Sequence, residues 1–212
     1  MVKINPKTGS LKGVMGPYSI YPSDDGNIIR PAHNISHHDR KSAGQMAQRQ
    51  KVTLATDFLS PIKEFLKISF KTADGKNAYN RASSYLHKNA FTIIDEIPTI
   101  NFQKVLVCQG LLAPPEGATL QFSNGTFTFA WTDNSVNAAA NANDQLVFLI
   151  YNPTSKQFYS SLSCESTSTR ENGRFDFTPK SVIHGDLHIY MAFRNADDTD
   201  ISNSVHLGMV TI

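Results

Sequence analysis

Apolar residues recur along this chain with two different periods, and the change falls near Pro98. From Ser42 onward, Met46, Leu54, Phe58, Ile62 and Leu66 recur every four or eight residues, with Ala43, Ala47 and Phe65 widening the stripe. Arg49, Lys51, Lys63 and Lys67 fall mostly off it. That recurrence places the apolar side chains on one face of an α-helix. Pro61 has no backbone N–H and its ring clashes with the preceding turn, so the run is either kinked there or split, with Pro61 in the first turn of a second helix. Asp74-Gly75 breaks the pattern, and Ala78, Ala82, Tyr85, Leu86 and Asn89 mark one face of a shorter helix, completing an antiparallel helix pair.

Beyond Pro98 the period becomes two. Phe127, Phe129 and Trp131 alternate with Thr126, Thr128 and Ala130, and Leu187, Ile189, Met191 and Phe193 alternate with His188, Tyr190 and Ala192. Residues 104–108, 120–122, 146–151, 157–163, 174–178 and 204–211 also read as strands, separated by polar turns such as Asn152-Pro153-Thr154. Seven or eight short strands at this spacing predict an antiparallel β-sandwich. Ahead of the helices, Asp24-Asp25-Gly26-Asn27 lies between Tyr18-Ser19-Ile20-Tyr21 and Ile28-Ile29-Arg30, a hairpin signal. A lone two-stranded hairpin is marginal in water, so this arm must lie on something. The expected class is α+β: a hairpin arm and helix pair over residues 1–98, then a β-sandwich over 99–212.

Charge divides at nearly the same place. Residues 1–90 hold 14 Lys and Arg against 6 Asp and Glu, while residues 91–212 hold 6 against 12, so the overall +2 hides a basic front and an acidic back. With 40% hydrophobic and 18% charged residues the composition is globular. The N-terminus, Met1-Val2-Lys3-Ile4-Asn5-Pro6-Lys7, has no apolar signal-peptide core, and the run Leu146 to Tyr151 is far short of the roughly 20 residues that span a bilayer. Neither signal peptide nor membrane anchor is expected, which leaves the cytoplasm or carriage inside a particle.

The charge split changes the partners to consider. Arg40, Lys41, Arg49, Lys63 and Lys67 on the basic side, and the turn Asp197, Asp198 and Asp200 on the acidic side, are the candidate protein-contact residues. Nucleic acid is the less favoured partner, because the basic residues are spread out with no interleaved aromatics that would stack on bases. His33, His37, His38 and Asp39 could ligate zinc but lack a second ligand pair, and read as a solvated linker. Cys108 and Cys164 could pair only if the fold brought their α-carbons within roughly 7 Å, and the favoured reading is two free, mostly buried thiols. Asp197, Asp198 and Asp200 lack the ordered spacing of a calcium loop. With no phosphate loop, nucleophile elbow or His-Glu-x-x-His helix, no catalytic residue, cofactor or metal is expected, and the chain is read as non-enzymatic.

Residues 115–212, with the Trp-bearing strand Phe127 to Trp131 and the late strand pair Leu187 to Arg194 and Ser204 to Ile212, resemble a fibronectin type III or immunoglobulin-like module. A departure is Leu187, which stands where that family usually has a tyrosine. The whole chain looks like a family of uncharacterised proteins, mainly from Bacteroidetes, that carry a domain of unknown function. The likeness rests on Ile29-Arg30-Pro31, Ser42 to Arg49 leading to Phe58-Leu59-Ser60-Pro61, Ala78-Tyr79-Asn80, Lys88-Asn89-Ala90 and Ser202 to Gly208. Gln45-x-x-x-Arg49 also resembles segments of small phage and prophage virion proteins. These features together favour a structural or assembly protein that contacts copies of itself or a larger particle. The alternative is a binding module holding a glycan or protein ligand on the loops near 133–144, 164–173 and 195–203.

Overall fold

The computed structural model describes residues 3–4, 11–24, 26–32, 42–70, 77–163 and 168–212. The chain is mixed α+β with a β-rich C-terminal part, and it divides into two compact units, 1–43 and 44–212. This division follows contact, whereas the change of sequence period near residue 98 follows secondary structure.

In the first unit, β1 (Lys3–Ile4), β2 (Leu11–Met15), β3 (Tyr18–Ser23) and β4 (Gly26–Pro31) form an antiparallel sheet in chain order. Ser23 pairs with Gly26, which closes the predicted hairpin. The expected two-stranded arm is therefore part of a four-stranded meander. Among its described residues only Ile20 is a buried apolar side chain, while Val14, Met15, Tyr18, Tyr21, Ile28 and Ile29 are exposed.

Three helices follow in place of the expected pair: α1 (Ala43–Leu59), α2 (Lys63–Ser69) and α3 (Ala78–Asn89). The long run is split, with Pro61 two residues ahead of α2, outside its first turn. Here its missing N–H breaks no helical hydrogen bond. Ala55, Phe58 and Leu59 on α1, Phe65 and Leu66 on α2, and Ala82 and Leu86 on α3 are buried. Met46 and Val52 are exposed, so the stripe enters the core only from Leu54 onward. Asn77 caps α3 by accepting a hydrogen bond from Tyr79 N at 3.0 Å.

A hairpin absent from the sequence reading comes next, β5 (Phe91–Ile94) with β6 (Ile97–Ile100). The strand expected at 104–108 does not form. A 3-10 turn occupies Phe102–Lys104, and the following backbone bonds to side chains instead of a ladder: Ser69 Oγ donates to Val107 O at 2.7 Å, and Val107 N donates to Ser204 Oγ at 2.9 Å. Those partners satisfy the buried polar backbone, which lets Val105, Val107 and Cys108 reach the core without sheet pairing.

The remaining strands are β7 (Glu116–Ser123), β8 (Thr126–Thr132), β9 (Gln145–Tyr151), β10 (Phe158–Ser160), β11 (Arg174–Phe177), β12 (Asp186–Arg194) and β13 (Val205–Thr211). They make an antiparallel sheet β10-β9-β12-β13 and a second, β11-β8-β7. The apolar faces of the two sheets meet: the Phe129 and Phe148 rings lie 5.2 Å apart, and Trp131 meets Phe193 at 5.6 Å. The other face of β9 and β12, through Val147, Leu149, Tyr151, Tyr190 and Ala192, packs against the helices, with Phe58 edge-on to Tyr151 at 5.0 Å. Burial on both faces explains why β9 reads Leu-Val-Phe-Leu-Ile-Tyr without alternation, whereas β8, buried on one face, alternates.

Candidate functional site

The second unit contains a cleft of about 300 Å³ where α1, β6 and β9 converge. Leu54 and Phe58 from α1, Pro98 and Ile100 from β6, Phe102 and Tyr151 line it. Polar groups gather at its side: Lys156 Nζ lies 2.9 Å from Asp57 Oδ1, and the Tyr151 hydroxyl is 3.5 Å from Asp57 O. Burial, reinforced by the Asp57 charge, pushes the Tyr151 phenol up to about 12, so it stays protonated and donates. An apolar hollow with few oriented polar groups suits a small apolar ligand or a single side chain from a partner.

The hairpin that supplies Pro98 and Ile100 leaves Ile93, Ile94 and Ile97 exposed, each by more than half. Its two-residue loop, Asp95-Glu96, has φ of 49° and 64°, left-handed values normally met by Asn-Gly. Such backbone costs of order 1–3 kcal/mol per residue and occurs where the surrounding structure imposes it. The result is an apolar edge with an acidic tip beside the cleft.

A second constellation lies at the opposite end of β9. Arg170 is fully buried and its guanidinium donates to Asp144 Oδ2 at 3.0–3.1 Å, to Asn134 Oδ1 and to Ala113 O at 3.0 Å. It also lies 4.1 Å from the centre of the Phe193 ring. Trp131 Nε1 donates to Arg170 O at 2.7 Å, tying the core tryptophan to the same segment. Desolvation pulls the Arg170 pKa below its ordinary value, opposed by the bond to Asp144, and the side chain remains a cation. Asp144 joins Asn141, Asn143, Asn195, Ala196 and Asp197 around an open recess between two loops.

The third constellation is a histidine pair. His188 Nδ1 on β12 lies 3.2 Å from His206 Nε2 on β13, and the Phe102 ring stacks on His188 at 3.9 Å. Burial first, then the neighbouring His206, pulls His188 down to about 4, against a smaller opposing effect of Asp186. His206 is lowered by burial as well.

The residues singled out from sequence do not form one cluster. Arg49 is exposed on α1, Lys63 is exposed on α2, and Lys67 pairs with Glu64 at 2.7 Å. In the acidic turn, Asp198 pairs with Arg194 at 2.8 Å, Asp197 accepts from Thr199 Oγ1 at 2.9 Å, and Asp200 accepts from Ile201 N at 2.8 Å and Leu111 N at 3.2 Å. Those carboxylates brace their own turn, and Asp200 also ties it to Leu111. Arg40, Lys41, His33, His37, His38, Asp39 and Cys164 lie outside the described residues. Cys108 is a buried free thiol whose pKa is raised by desolvation. Among the described residues, no group of three or more His, Cys, Asp or Glu converges, and no helix is long and apolar enough to cross a membrane.

Sequence reading missed Tyr151, Asp57 and Lys156 around the cleft, the Arg170–Asp144 pair and the histidine pair. The one available signal was Asp144, an acid two residues ahead of the apolar run Leu146 to Tyr151. No curated protein matches the chain. The profile of a family of unknown function, DUF6266, matches residues 27–208, and the chain belongs to that family.

Proposed function

We propose that this is a non-enzymatic structural or assembly protein that works through protein–protein contacts, with copies of itself or within a larger phage-derived or surface-associated particle. The observation that carries this reading is the four-stranded N-terminal sheet, which exposes six large apolar side chains and buries only Ile20 among its described residues. A sheet needs a covered apolar face for stability, and exposed apolar area of this kind is characteristic of interaction surfaces. The Ile93, Ile94 and Ile97 edge is a second such surface. The division into a basic front and an acidic back supports contact between unlike ends of neighbouring copies, the geometry that builds rings and filaments.

The same reading takes the two facing sheets as a fibronectin type III-like or immunoglobulin-like sandwich, and the family as one mainly of Bacteroidetes. Supporting the sandwich are the three-against-four strand division and the orders β7-β8-β11 and β10-β9-β12-β13. Trp131 lies on the second strand of the seven, not on the third, where an antibody domain carries its core tryptophan.

The test is light scattering coupled to size exclusion on the full chain at low salt and at about 0.5 M, where screening reaches only a few ångströms. A defined oligomer that loosens with salt supports assembly through the charged halves. A monomer under both conditions overturns it and favours the binding-module reading. That second reading has its own observation, the recess between the 141–144 and 195–197 loops, lined by amide and carboxylate groups suited to a hydroxyl-rich ligand such as a glycan.

A further inference from the structure

Histidines 188 and 206 meet because of an irregularity in the sheet. From Asp186 to Ile189 the β12–β13 register steps one residue back along β13 for each residue forward along β12, ending with Ile189 opposite Gly208. Tyr190 then lies opposite His206 and not Leu207, so β13 carries one extra residue at this point. Without that bulge, His206 would lie opposite Met191, whose side chain belongs to the core between the two sheets. A one-residue shift moves a side chain to the other face of its sheet, so the bulge turns His206 onto the face that carries His188 and Tyr190. Gly208, at φ 120°, supplies a backbone conformation that L side chains rarely adopt.

The surroundings hold both rings in place. Phe102 stacks on His188 with an interplanar angle of 19°, the Tyr190 ring lies 5.0 Å from that of His206, and the Tyr190 hydroxyl donates to Phe102 O at 2.9 Å. On its other side, His206 borders an open recess with Gln103, Ser204 and Gly208. The facing nitrogens are 3.2 Å apart. Two imidazoles on a tetrahedral zinc with bonds of 2.0–2.1 Å have their nitrogens about 3.3 Å apart, so the pair already has the bite of a chelate.

We propose that His188 Nδ1 and His206 Nε2 form a two-imidazole site for a divalent transition ion of the zinc, copper or nickel class, with water from the recess completing the shell. Imidazole donors suit these ions, and their open coordination positions would face solvent. The pair now shares one proton between the facing nitrogens. On binding, that proton moves to the outward nitrogen of its own ring, each imidazole stays neutral, and both facing lone pairs go to the metal. The site is independent of the assembly reading and stands or falls separately.

The test is a zinc titration of the full chain followed by long-range proton–nitrogen NMR of the histidine rings. The expected result is joint movement of the His188 and His206 ring nitrogens, complete near one equivalent. A chain carrying H33A, H37A and H38A should give the same response, which separates this site from the N-terminal histidines. In calorimetry, H206Q should weaken zinc binding by at least the roughly tenfold typical of losing even an outer-shell partner. Unmoved His188 and His206 resonances in the wild-type chain, or zinc binding in folded H206Q as tight as in wild type, overturn the proposal. The wild-type spectra decide the matter even if H206Q fails to fold.

Discussion

The sheet β10-β9-β12-β13 and the sheet β1-β2-β3-β4 each have four antiparallel strands, and they relate to a core in opposite ways. In the first, β9 and β12 are covered by helices on one face and by β8 on the other, and almost every side chain from Leu146 to Phe193 on these two strands is buried. In the second, a single apolar side chain among the described residues is buried, and six large ones face outward. The difference shows that strand pairing alone does not account for a sheet. Neighbouring layers supply the free energy of the central sheet, and the proposed assembly would cover the exposed apolar side chains of the N-terminal one.

The contrast is broken most directly in the doubly covered sheet. Phe148→Ala should cost about 3–5 kcal/mol by urea denaturation, because a large side chain packed against Phe129 and Phe177 leaves a cavity. Serine at exposed Ile29 should move the same transition by no more than about 0.5 kcal/mol. Equal losses at the two positions would erase the distinction drawn here.

The buried ion pair tests whether the central sheet also depends on polar contacts. Arg170→Ala leaves Asp144 buried without its cation and should cost about 3–5 kcal/mol. Arg170→Met together with Asp144→Leu should recover much of that loss, since removing both charges also removes the desolvation cost. A double variant no more stable than Arg170→Ala would show that the Asn134 and Ala113 bonds carry the effect instead.

Acid acts on the same sheet through His188. Its folded pKa, about 4, lies below the ordinary 6.5, so the unfolded chain takes up this proton first as pH falls. Stability should therefore be full above about pH 6.5 and decline towards about pH 4, when unfolding is followed by denaturant midpoint across that window. The groups around the ring are His206 and Asp186. A His188→Gln chain should show a flatter decline, and an identical slope would remove His188 from the account.

A comparably small stability effect per site is expected at the exposed hairpin. Ile94→Ser with Ile97→Ser should change the unfolding midpoint by no more than about 0.5 kcal/mol per site, while reducing any oligomer seen by light scattering. A large loss of stability would mean that this edge belongs to the core.

Much of the fold could be read from periodicity. The strands at 126–131, 174–178 and 187–193 and the helices ending at Leu59 and Asn89 lie where alternation or the four-residue recurrence put them, because those patterns record which side of an element meets the core, and the strand at 146–151 lies on an unbroken apolar run. Errors arose where another influence dominated. Val105 to Cys108 looks like a strand but bonds its backbone to Ser69 and Ser204 side chains. The β5–β6 hairpin was hidden because its turn is Asp95-Glu96 and its isoleucines do not alternate with polar residues. The candidate sites were less legible still. Tyr151 and Asp57 are 94 residues apart, and His188 and His206 have the wrong parity for a shared face until a bulge corrects it.

The sequence by itself determined most of the elements, the asymmetry of charge and the change from helical to strand period, because each of these depends on neighbours a few positions away. Only the tertiary structure decided that β9 and β12 are buried twice, that Arg170 finds Asp144, and that two histidines 18 residues apart come within 3.2 Å. Those outcomes depend on layer packing and on one extra residue in a ladder, and hydrophobic periodicity along a single strand carries no record of either.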